Sequence, residues 1–219
     1  MALSNDDSVL KAIARYGVVP VVVIDAAEDV LRLADALLEG GLPLVEITFR
    51  TAAAGAAIST LVQNRPEMLV GAGTVLTCAN VEAARASAAE FAVAPGLNPA
   101  IVRAAHAIAL PFVPGVATPS EMEQAMALGC GLLKYFPAEA LGGADALQAM
   151  AGPYEHTGVR FLPTGGVNLL NLASYLARPC VAAVGGTWIA KQADLAEGRW
   201  AEIRDRCKAA VELVAKIRG

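Results

Sequence analysis

The sequence predicts an α/β fold, a single (β/α)8 TIM barrel with one extra N-terminal helix, and three observations support this prediction. Eight short apolar runs alternate with Ala-rich amphipathic stretches along the 219 residues. The runs are continuously apolar, which is typical of parallel strands buried on both faces. Eight such strands in a chain of this length favour a closed barrel.

Each predicted strand is an apolar run that ends in Gly, Pro, Thr or a charged residue. In chain order the strands are VVPVVVI (18–24), LVEITF (44–49), MLVGAGTV (68–75), FAVAPG (91–96), LPFVPGV (110–116), LLKYFP (132–137), VRFLPTGG (159–166) and VAAVGGTW (181–188).

The stretches between the strands carry helix signals. In the segment 118–131, Thr118 is a good N-cap, Pro119 suits the first turn, and the closing glycine is a good C-cap. The extra helix is predicted over about residues 5–16, and the tail 200–218 is also predicted to be helical.

A doubly wound open sheet is the main alternative fold. It would usually show fewer strands and a nucleotide-binding fingerprint. The segment GAGTVL (71–76) begins like one, but Leu76 stands where a glycine is needed. No linker or change of composition interrupts the alternation, so we predict one domain over residues 1–219.

Composition argues against several classes of protein. The chain is 56% hydrophobic and 17% charged, with a net charge of -4 and scattered Lys and Arg, so no nucleic-acid partner is expected. We find no run long enough to span a membrane and no secretory signal in the first residues, and we predict a cytoplasmic protein.

Cysteine and histidine usage gives no sign of a metal site. The four cysteines are far apart and form no CxxC pair, which favours reduced and mostly buried thiols. The two histidines, His106 and His156, cannot alone form a His-rich site. We therefore predict neither a metal nor another cofactor.

Charged side chains on two of the predicted strands mark the candidate active site, because a barrel places its site at the carboxyl ends of the strands. Glu46, Thr48 and Arg50 lie on one face of the second strand, and Lys134 and Phe136 share a face of the sixth. If both faces point into the barrel mouth, an acid, an amine and a cation meet there.

Lys134 is the only lysine inside a predicted strand. Burial penalises the ammonium form, so such a lysine can act as an amine nucleophile that forms a Schiff base with a carbonyl. The alternative is a structural ion pair with Glu46, and position alone does not separate the two readings.

Glu46 and Arg50 each allow two readings as well. Glu46 lies between Val45 and Ile47, where a carboxyl with a raised pKa can act as a general acid or base. It could equally be the counter-ion of Lys134 or Arg50. Arg50 could bind a carboxylate through its planar fork, or it could simply be solvated at a strand end.

The last two predicted strands each end in a pair of glycines, within PTGGV (163–167) and VGGTW (184–188). In barrels these two loops often bind phosphate through backbone N–H groups, and glycine allows the close approach. One glycine pair is often only a turn, but two pairs at these particular strands indicate a phosphate site.

Six segments in order along nearly the whole chain resemble the KDPG aldolases, which act on 2-dehydro-3-deoxy-6-phosphogluconate and often on 4-hydroxy-2-oxoglutarate. The segments are VEITFRT (45–51), GAGTVL (71–76), APGLNP (94–99), KYFPAEALGG (134–143), PTGGV (163–167) and GGTW (185–188). The motifs centred on Lys134 and Glu46 are the specific ones, because many phosphate-binding barrels share the glycine motifs.

The resemblance implies a role for each matching residue. Lys134 would be the Schiff-base lysine and Glu46 the proton-transfer residue. Arg50 and Thr74 would hold the pyruvate carboxylate, and Pro95 and Phe136 would shape the pocket around it. The phosphate would be held by Thr164, Gly165, Gly166, Gly186 and Thr187. The resemblance also implies a homotrimer that acts on a small phosphorylated 2-keto-3-deoxy sugar acid.

The predicted function is that of a class I aldolase, which splits this substrate into pyruvate and glyceraldehyde 3-phosphate. The alternatives are an aldolase for another such acid, for example of the 6-phosphogalactonate type, another enzyme on a phosphate-binding barrel, and a non-catalytic phosphate-ligand binding barrel. Two positions depart from the family pattern, since Thr187 replaces a familiar Ser and Leu141 a familiar Asn.

Overall fold

The computed structural model describes residues 8–219, in which the eight apolar runs form nine strands, and every strand pair is parallel. The strands are β1 (Val18–Val22), β2 (Leu44–Thr48), β3 (Leu69–Gly73), β4 (Phe91–Val93), β5 (Phe112–Val113), β6 (Gly115–Val116), β7 (Leu132–Tyr135), β8 (Arg160–Phe161) and β9 (Val184–Gly186).

The strands close into a barrel through two junctions. Six strands lie in the order β5-β4-β3-β2-β1-β9, and three lie in the order β6-β7-β8. The fifth apolar run joins the two groups on one side, because β5 pairs with β4 and β6 pairs with β7. On the other side, parallel bridges join Phe161 to Val181 and Thr164 to Gly185. The (β/α)8 prediction is confirmed, and the open-sheet alternative is wrong.

The fifth apolar run is predicted to form one strand, but Pro114 divides it into two short strands, β5 and β6. Proline has no N–H to donate to a neighbouring strand, so the ladder is interrupted at this point. Its carbonyl still accepts a hydrogen bond from the Lys134 amide at 2.8 Å. This bond keeps the barrel wall continuous beside the lysine.

Helices follow the strands and cover the barrel. They are α1 (Ser8–Tyr16), α2 (Val30–Glu39), α3 (Ala54–Asn64), α4 (Cys78–Ala86), α5 (Pro99–Ala107), α6 (Pro119–Ala127), α7 (Gly143–Ala151), α8 (Leu172–Leu176), α9 (Gln192–Ala196) and α10 (Trp200–Arg218), with 3-10 turns at Ala27–Asp29 and Gly152–Thr157. The predicted N-terminal helix corresponds to α1, while positions 5–7 of that prediction lie outside the described residues.

Local capping explains where α6 begins. The Thr118 hydroxyl accepts a hydrogen bond from the Glu121 amide at 3.3 Å, and the Glu121 carboxylate accepts one from the Thr118 amide at 3.0 Å. This reciprocal capping box satisfies two amides that the helix leaves free. With Pro119 in the first turn, it confirms the start predicted from sequence.

The register of the strands determines which residues lie level with Glu46. In the ladder Glu46 pairs with Val21 on one side and with Gly71 on the other. A side chain at Gly71 would collide with the Phe91 ring, 2.2 Å from the position of its Cβ. The small residue at position 71 thus makes room for the large Phe91 ring, as close packing of a barrel interior requires.

The four cysteines are unpaired, and they differ in exposure. Cys130 and Cys207 are buried, Cys180 is half-buried and Cys78 is exposed. Burial raises the pKa of the Cys130 thiol to about 11 and that of the Cys207 thiol to about 12, which makes these two thiols unreactive at neutral pH. The exposed Cys78 departs from the prediction of mostly buried thiols, because it begins the surface helix α4.

Residues 8–219 contain neither a candidate membrane-spanning helix nor a candidate metal-binding cluster. No helix there has both the length and the apolar composition needed to cross a membrane. In the same part of the chain, no group of three or more His, Cys, Asp or Glu side chains is arranged to bind a metal ion.

Candidate active site

A pocket of about 500 Å³ lies at the carboxyl ends of the strands, and all eleven residues predicted for the site line it. They are Glu46, Arg50, Thr74, Pro95, Lys134, Phe136, Thr164, Gly165, Gly166, Gly186 and Thr187. The closed barrel brings them together, because parallel strands direct their carboxyl ends to the same rim.

Lys134 and Glu46 meet across the barrel axis. Their strands, β7 and β2, lie on opposite sides of the ring, yet Lys134 Nζ is 3.8 Å from Glu46 Oε1. Lys134 is 5% exposed and Glu46 is fully buried. The ammonium also lies 5.3 Å from the centroid of the Phe136 ring. The only lysine predicted inside a strand is therefore enclosed beside a buried acid.

The Glu46 carboxylate has no conventional hydrogen-bond partner. Both of its oxygens are buried, and neither accepts a hydrogen bond from any of the described residues. Burial raises its pKa above the ordinary value, and the nearby Lys134 charge opposes this rise only in part. A buried polar group without a partner is costly and uncommon, so this carboxylate is a candidate for proton transfer.

Gly73 gives this carboxylate its space. A Cβ added to Gly73 would lie 2.1 Å from Glu46 Oε1 and 2.7 Å from its Cγ. Gly73 ends β3, next to β2, so the absence of a side chain there lets Glu46 lean across the sheet. The glycine thereby fixes the direction in which the acid points.

Arg50 and Thr74 stand on the same side of the mouth, beyond the ends of β2 and β3. Arg50 is exposed and lines the pocket, where its fork is free to meet an anionic group. Thr74 has a φ of 56°, a conformation that is rare for a β-branched residue. Such strain is often retained at a binding site, which agrees with the implied role in holding a carboxylate.

The glycine loop, residues 164–167, follows β8 and forms the opposite end of the pocket. Gly165 and Gly166 both have positive φ, at 97° and 83°. Among the hydrogen bonds of residues 8–219, none uses the amides of Gly165, Gly166 or Val167 as donors. These three N–H groups remain available to an anion, as in other anion-binding loops.

Three carbonyl groups of the glycine loop, those of Thr164, Gly165 and Gly166, are engaged elsewhere. The Ala138 amide donates to the Thr164 oxygen at 2.8 Å, and the Glu139 amide donates to the Gly165 oxygen at 3.0 Å. The Gly166 oxygen accepts from the side-chain amides of Asn168 and Asn171, at 3.1 and 3.2 Å. The loop therefore holds its acceptors in place and leaves donors free, which suits a negatively charged ligand.

Gly185 and Gly186 form the second glycine pair, and the structure gives a further reason, besides the predicted one, why these two positions lack side chains. A Cβ at Gly185 would lie 2.4 Å from Thr164 Oγ1, and one at Gly186 would lie 2.5 Å from the Trp188 ring. Both glycines are thus needed for packing against neighbouring side chains, although Gly186 also lines the pocket. Close approach of an anion is not the only reason for glycine there.

Three further residues line the pocket, namely Val21, Thr48 and Val167. Strand alternation placed Thr48 on the face of Glu46 and Arg50, and its hydroxyl donates to the Val22 oxygen at 3.1 Å. Val21 is level with Glu46 in the ladder, which only the register reveals. Leu141, one of the two departures from the family pattern, is not among the residues that line the pocket.

Comparisons with known proteins agree with this geometry. A model of the family described as "KDPG and KHG aldolase" matches residues 9–206. The chain is 41% identical over 207 residues to the 2-dehydro-3-deoxy-phosphogluconate aldolase of Treponema pallidum, covering 94% of this chain and 98% of that protein. Curated relatives of this kind are named as aldolases, which are lyases.

Two solved structures are similar over almost their full length. The KDPG aldolase of Legionella pneumophila, with pyruvate captured as a covalent carbinolamine intermediate, has a TM-score of 0.88 and 38% identity, covering 92% of this chain and 97% of that one. The aldolase of Zymomonas mobilis ZM4 with 3-phosphoglycerate has a TM-score of 0.85 and 36% identity, with 97% of both chains covered. With the family model, these similarities show that the chain belongs to the KDPG and KHG aldolase family.

Proposed function

We propose that the protein is a class I aldolase that cleaves 2-dehydro-3-deoxy-6-phosphogluconate to pyruvate and glyceraldehyde 3-phosphate through a Schiff base on Lys134. The observation that supports this most directly is the enclosed pair, with Lys134 Nζ 3.8 Å from Glu46 Oε1. An amine and an acid in contact, at the mouth of a barrel, are what carbonyl condensation followed by proton transfer requires.

The proposed reaction begins when the neutral amine of Lys134 adds to the C2 ketone and forms a carbinolamine. Loss of water gives an iminium, which can accept an electron pair. The ionised Glu46 then takes the proton of the C4 hydroxyl, directly or through a water. The C3–C4 bond breaks into the iminium to give an enamine, and glyceraldehyde 3-phosphate leaves. Protonation of the enamine at C3 and hydrolysis release pyruvate and restore the amine.

The rest of the pocket holds the two ends of the substrate in this proposal. Arg50 and Thr74 bind the carboxylate of the pyruvate half. The free amides of the glycine loop, with the hydroxyls of Thr164 and Thr187, bind the phosphate. Pro95 and Phe136 enclose the reacting carbons. The Zymomonas relative was solved with a phosphorylated acid, 3-phosphoglycerate, which supports the assignment of an anion site.

The name of the Treponema relative favours the phosphogluconate substrate over a 6-phosphogalactonate type and over a non-catalytic barrel. Because the family description also includes KHG, we propose 4-hydroxy-2-oxoglutarate as a second, poorer substrate. A homotrimer in the cytoplasm is proposed on the resemblance of the sequence to the family. Light scattering would test the assembly, since a trimer has three times the 22.5 kDa mass of the chain.

Trapping with borohydride tests the covalent step. Incubation with pyruvate and borohydride should reduce the Schiff base to a stable adduct, and peptide mass spectrometry should place it on Lys134. Lys134→Ala should abolish the adduct, whereas the control Lys191→Ala, which changes a surface lysine, should retain it. An adduct of undiminished yield on another lysine in the Lys134→Ala protein would contradict the assignment.

A further inference from the structure

The glycine loop is attached to the loop that follows Lys134. The Thr164 amide donates to the oxygen of Tyr135, the last residue of β7, at 2.9 Å. The amides of Ala138 and Glu139 donate in turn to the oxygens of Thr164 and Gly165. The two loops therefore form one continuous ladder. The position of the free amides depends on what holds the lysine loop in place.

The Glu139 side chain packs directly against this ladder. A Cβ added to Gly166 would lie 2.5 Å from Glu139 Cγ and 2.6 Å from Glu139 Cβ. Gly166 thus adopts its positive φ in a space that the stem of Glu139 borders. If the Glu139 side chain moved, the glycine loop would lose the surface that it rests on.

Tyr175 fixes the Glu139 side chain. Tyr175 is fully buried on α8, and its hydroxyl donates a hydrogen bond to Glu139 Oε1. Burial, together with Glu139 itself, raises the pKa of Tyr175, so the hydroxyl remains protonated and able to donate at neutral pH.

From this geometry we infer that Glu139 and Tyr175 are a positioning pair that holds the glycine loop in its anion-binding shape. Neither residue lines the pocket, so both act through Gly165 and Gly166 rather than on the substrate. The inference deepens the proposed function and rests on it, because it assumes that the glycine loop receives the phosphate.

Tyr175→Phe tests the pair, because it removes the hydroxyl and keeps the ring. Because loss of this hydrogen bond frees the Glu139 side chain, we expect KM for 2-dehydro-3-deoxy-6-phosphogluconate to rise on the order of tenfold. The kcat and the condensation of pyruvate with a small neutral aldehyde should stay close to wild type. Hydrogen exchange should become faster at the three amides that join the two loops, those of Thr164, Ala138 and Glu139.

Tyr154→Phe is the matched control. The Tyr154 hydroxyl donates to Glu123 Oε1 at 2.8 Å, so the control removes the same type of bond away from the pocket. It should leave both reactions unchanged. Glu139→Gln retains an acceptor oxygen and should behave nearly as wild type, whereas Glu139→Ala should reproduce the rise in KM. The last two variants test the pair even if Tyr175→Phe folds poorly.

Three results would overturn the inference. One is an unchanged KM in a folded Tyr175→Phe or Glu139→Ala protein, and another is an equal loss for the phosphorylated substrate and for the neutral aldehyde. The third is unchanged exchange at the amides of Thr164, Ala138 and Glu139 in a folded Tyr175→Phe protein. Failure of the proposed function is distinguishable, since in that case the wild-type protein itself would not cleave the phosphorylated substrate.

Discussion

Glu46 is costly for the fold to accommodate. A buried carboxylate without hydrogen bonds is destabilising, and the nearby Lys134 charge compensates for this only in part. Packing alone would favour an apolar residue at this position, as at Val45 and Ile47 on either side. Retention of the acid therefore agrees with a chemical role better than with a purely structural ion pair.

Glu46→Gln keeps the shape of the side chain and removes its ionisable group. If Glu46 transfers the proton, kcat should fall by about 10²–10⁴-fold, which is the usual contribution of a general acid or base. The borohydride adduct with pyruvate should still form on Lys134. The measurements are steady-state kinetics and adduct yield, and near-wild-type turnover at saturating substrate would assign the proton transfer to another group.

The raised pKa of Glu46 gives the same variant a second readout. The base acts in its ionised form, so kcat/KM should rise as the pH rises through this pKa. Because burial raises the pKa of Glu46, this increase in kcat/KM should occur at a pH above the ordinary pKa of a glutamate. Glu46→Gln should lose this acidic limb of the profile, whereas other limbs should persist.

At the scale of elements, neighbouring strands hold the acid in place. Because β2 and β3 are in register, Thr48 pairs with Gly73, and the Glu46 carboxylate leans over that glycine. An ordinary β-propensity argument would favour a branched residue at Gly73. The space that the Glu46 side chain needs outweighs this β-propensity.

Gly73→Ala should move the Glu46 carboxylate, since the new methyl would lie 2.1 Å from Oε1. A misplacement of about 1 Å can lower a rate by on the order of 10²-fold, so we expect a loss of kcat of that order. Gly96→Ala is the control, because a Cβ there meets nothing within 4 Å. Equal activity of the two variants, with thermal melts confirming folding, would show that Gly73 does not position the acid.

One buried acid, Asp194 of α9, connects the helices that follow β9 through ion pairs. Its carboxylate binds the Arg199 guanidinium at 2.7 Å and also the Arg206 guanidinium of α10. Burial by itself would raise the pKa of Asp194, but the two arginines lower it below the ordinary value. The ion pairs thus link the segment after Thr187 to the long C-terminal helix.

Asp194→Asn should lower the free energy of unfolding at neutral pH by about 1.5–3 kcal/mol, the usual value for hydrogen bonds to charged groups. A carboxyl with a depressed folded-state pKa stabilises above its unfolded pKa, and this stabilisation is lost as the pH falls through the folded-state value. The difference between wild type and variant should therefore shrink in acid.

Asp205→Asn is the control for that measurement. Asp205 makes an exposed ion pair with Arg204 at 2.8 Å, which should contribute little. Denaturant melts at neutral and acidic pH would compare the three proteins. A pH-independent difference between Asp194→Asn and wild type would contradict the proposed ion-pair origin.

On the scale of the whole molecule, the pocket joins two functions at opposite ends. In the proposed reaction the Lys134 and Glu46 pair provides the reacting groups, while the glycine loop and Thr187 would form an anion site remote from the bond that breaks. Binding energy from such a remote group can lower the barrier as well as KM. The barrel rim is what sets the two ends at a fixed separation.

This arrangement predicts a ranking of substrates. The phosphorylated six-carbon acid should have a higher kcat/KM than 4-hydroxy-2-oxoglutarate, whose distal group is a carboxylate. Thr187→Val removes a hydroxyl at the anion site and should lower kcat/KM for the phosphorylated acid more than for 4-hydroxy-2-oxoglutarate. Thr187→Ser, which keeps the hydroxyl, should preserve the ranking. Equal losses on both substrates in a folded Thr187→Val protein would contradict the phosphate site.

The sequence by itself determined the barrel and eleven of the residues that line the pocket. Continuous apolar runs and Ala-rich amphipathic stretches report local propensity and burial, which do not depend on distant contacts. The capped start of α6 at Thr118 is local for the same reason. The lining residues followed because each lies at a strand end and matches a motif of the family.

Only the tertiary structure decided the contacts between distant segments. Sequence order could not show that Pro114 splits a strand, that Gly73 makes room for Glu46, or that Tyr175 supports the glycine loop. These depend on register and on side chains that meet across strands or from helix to loop. Whether Lys134 reaches Glu46 was decided by barrel closure, because their strands lie opposite each other and become neighbours only across the axis.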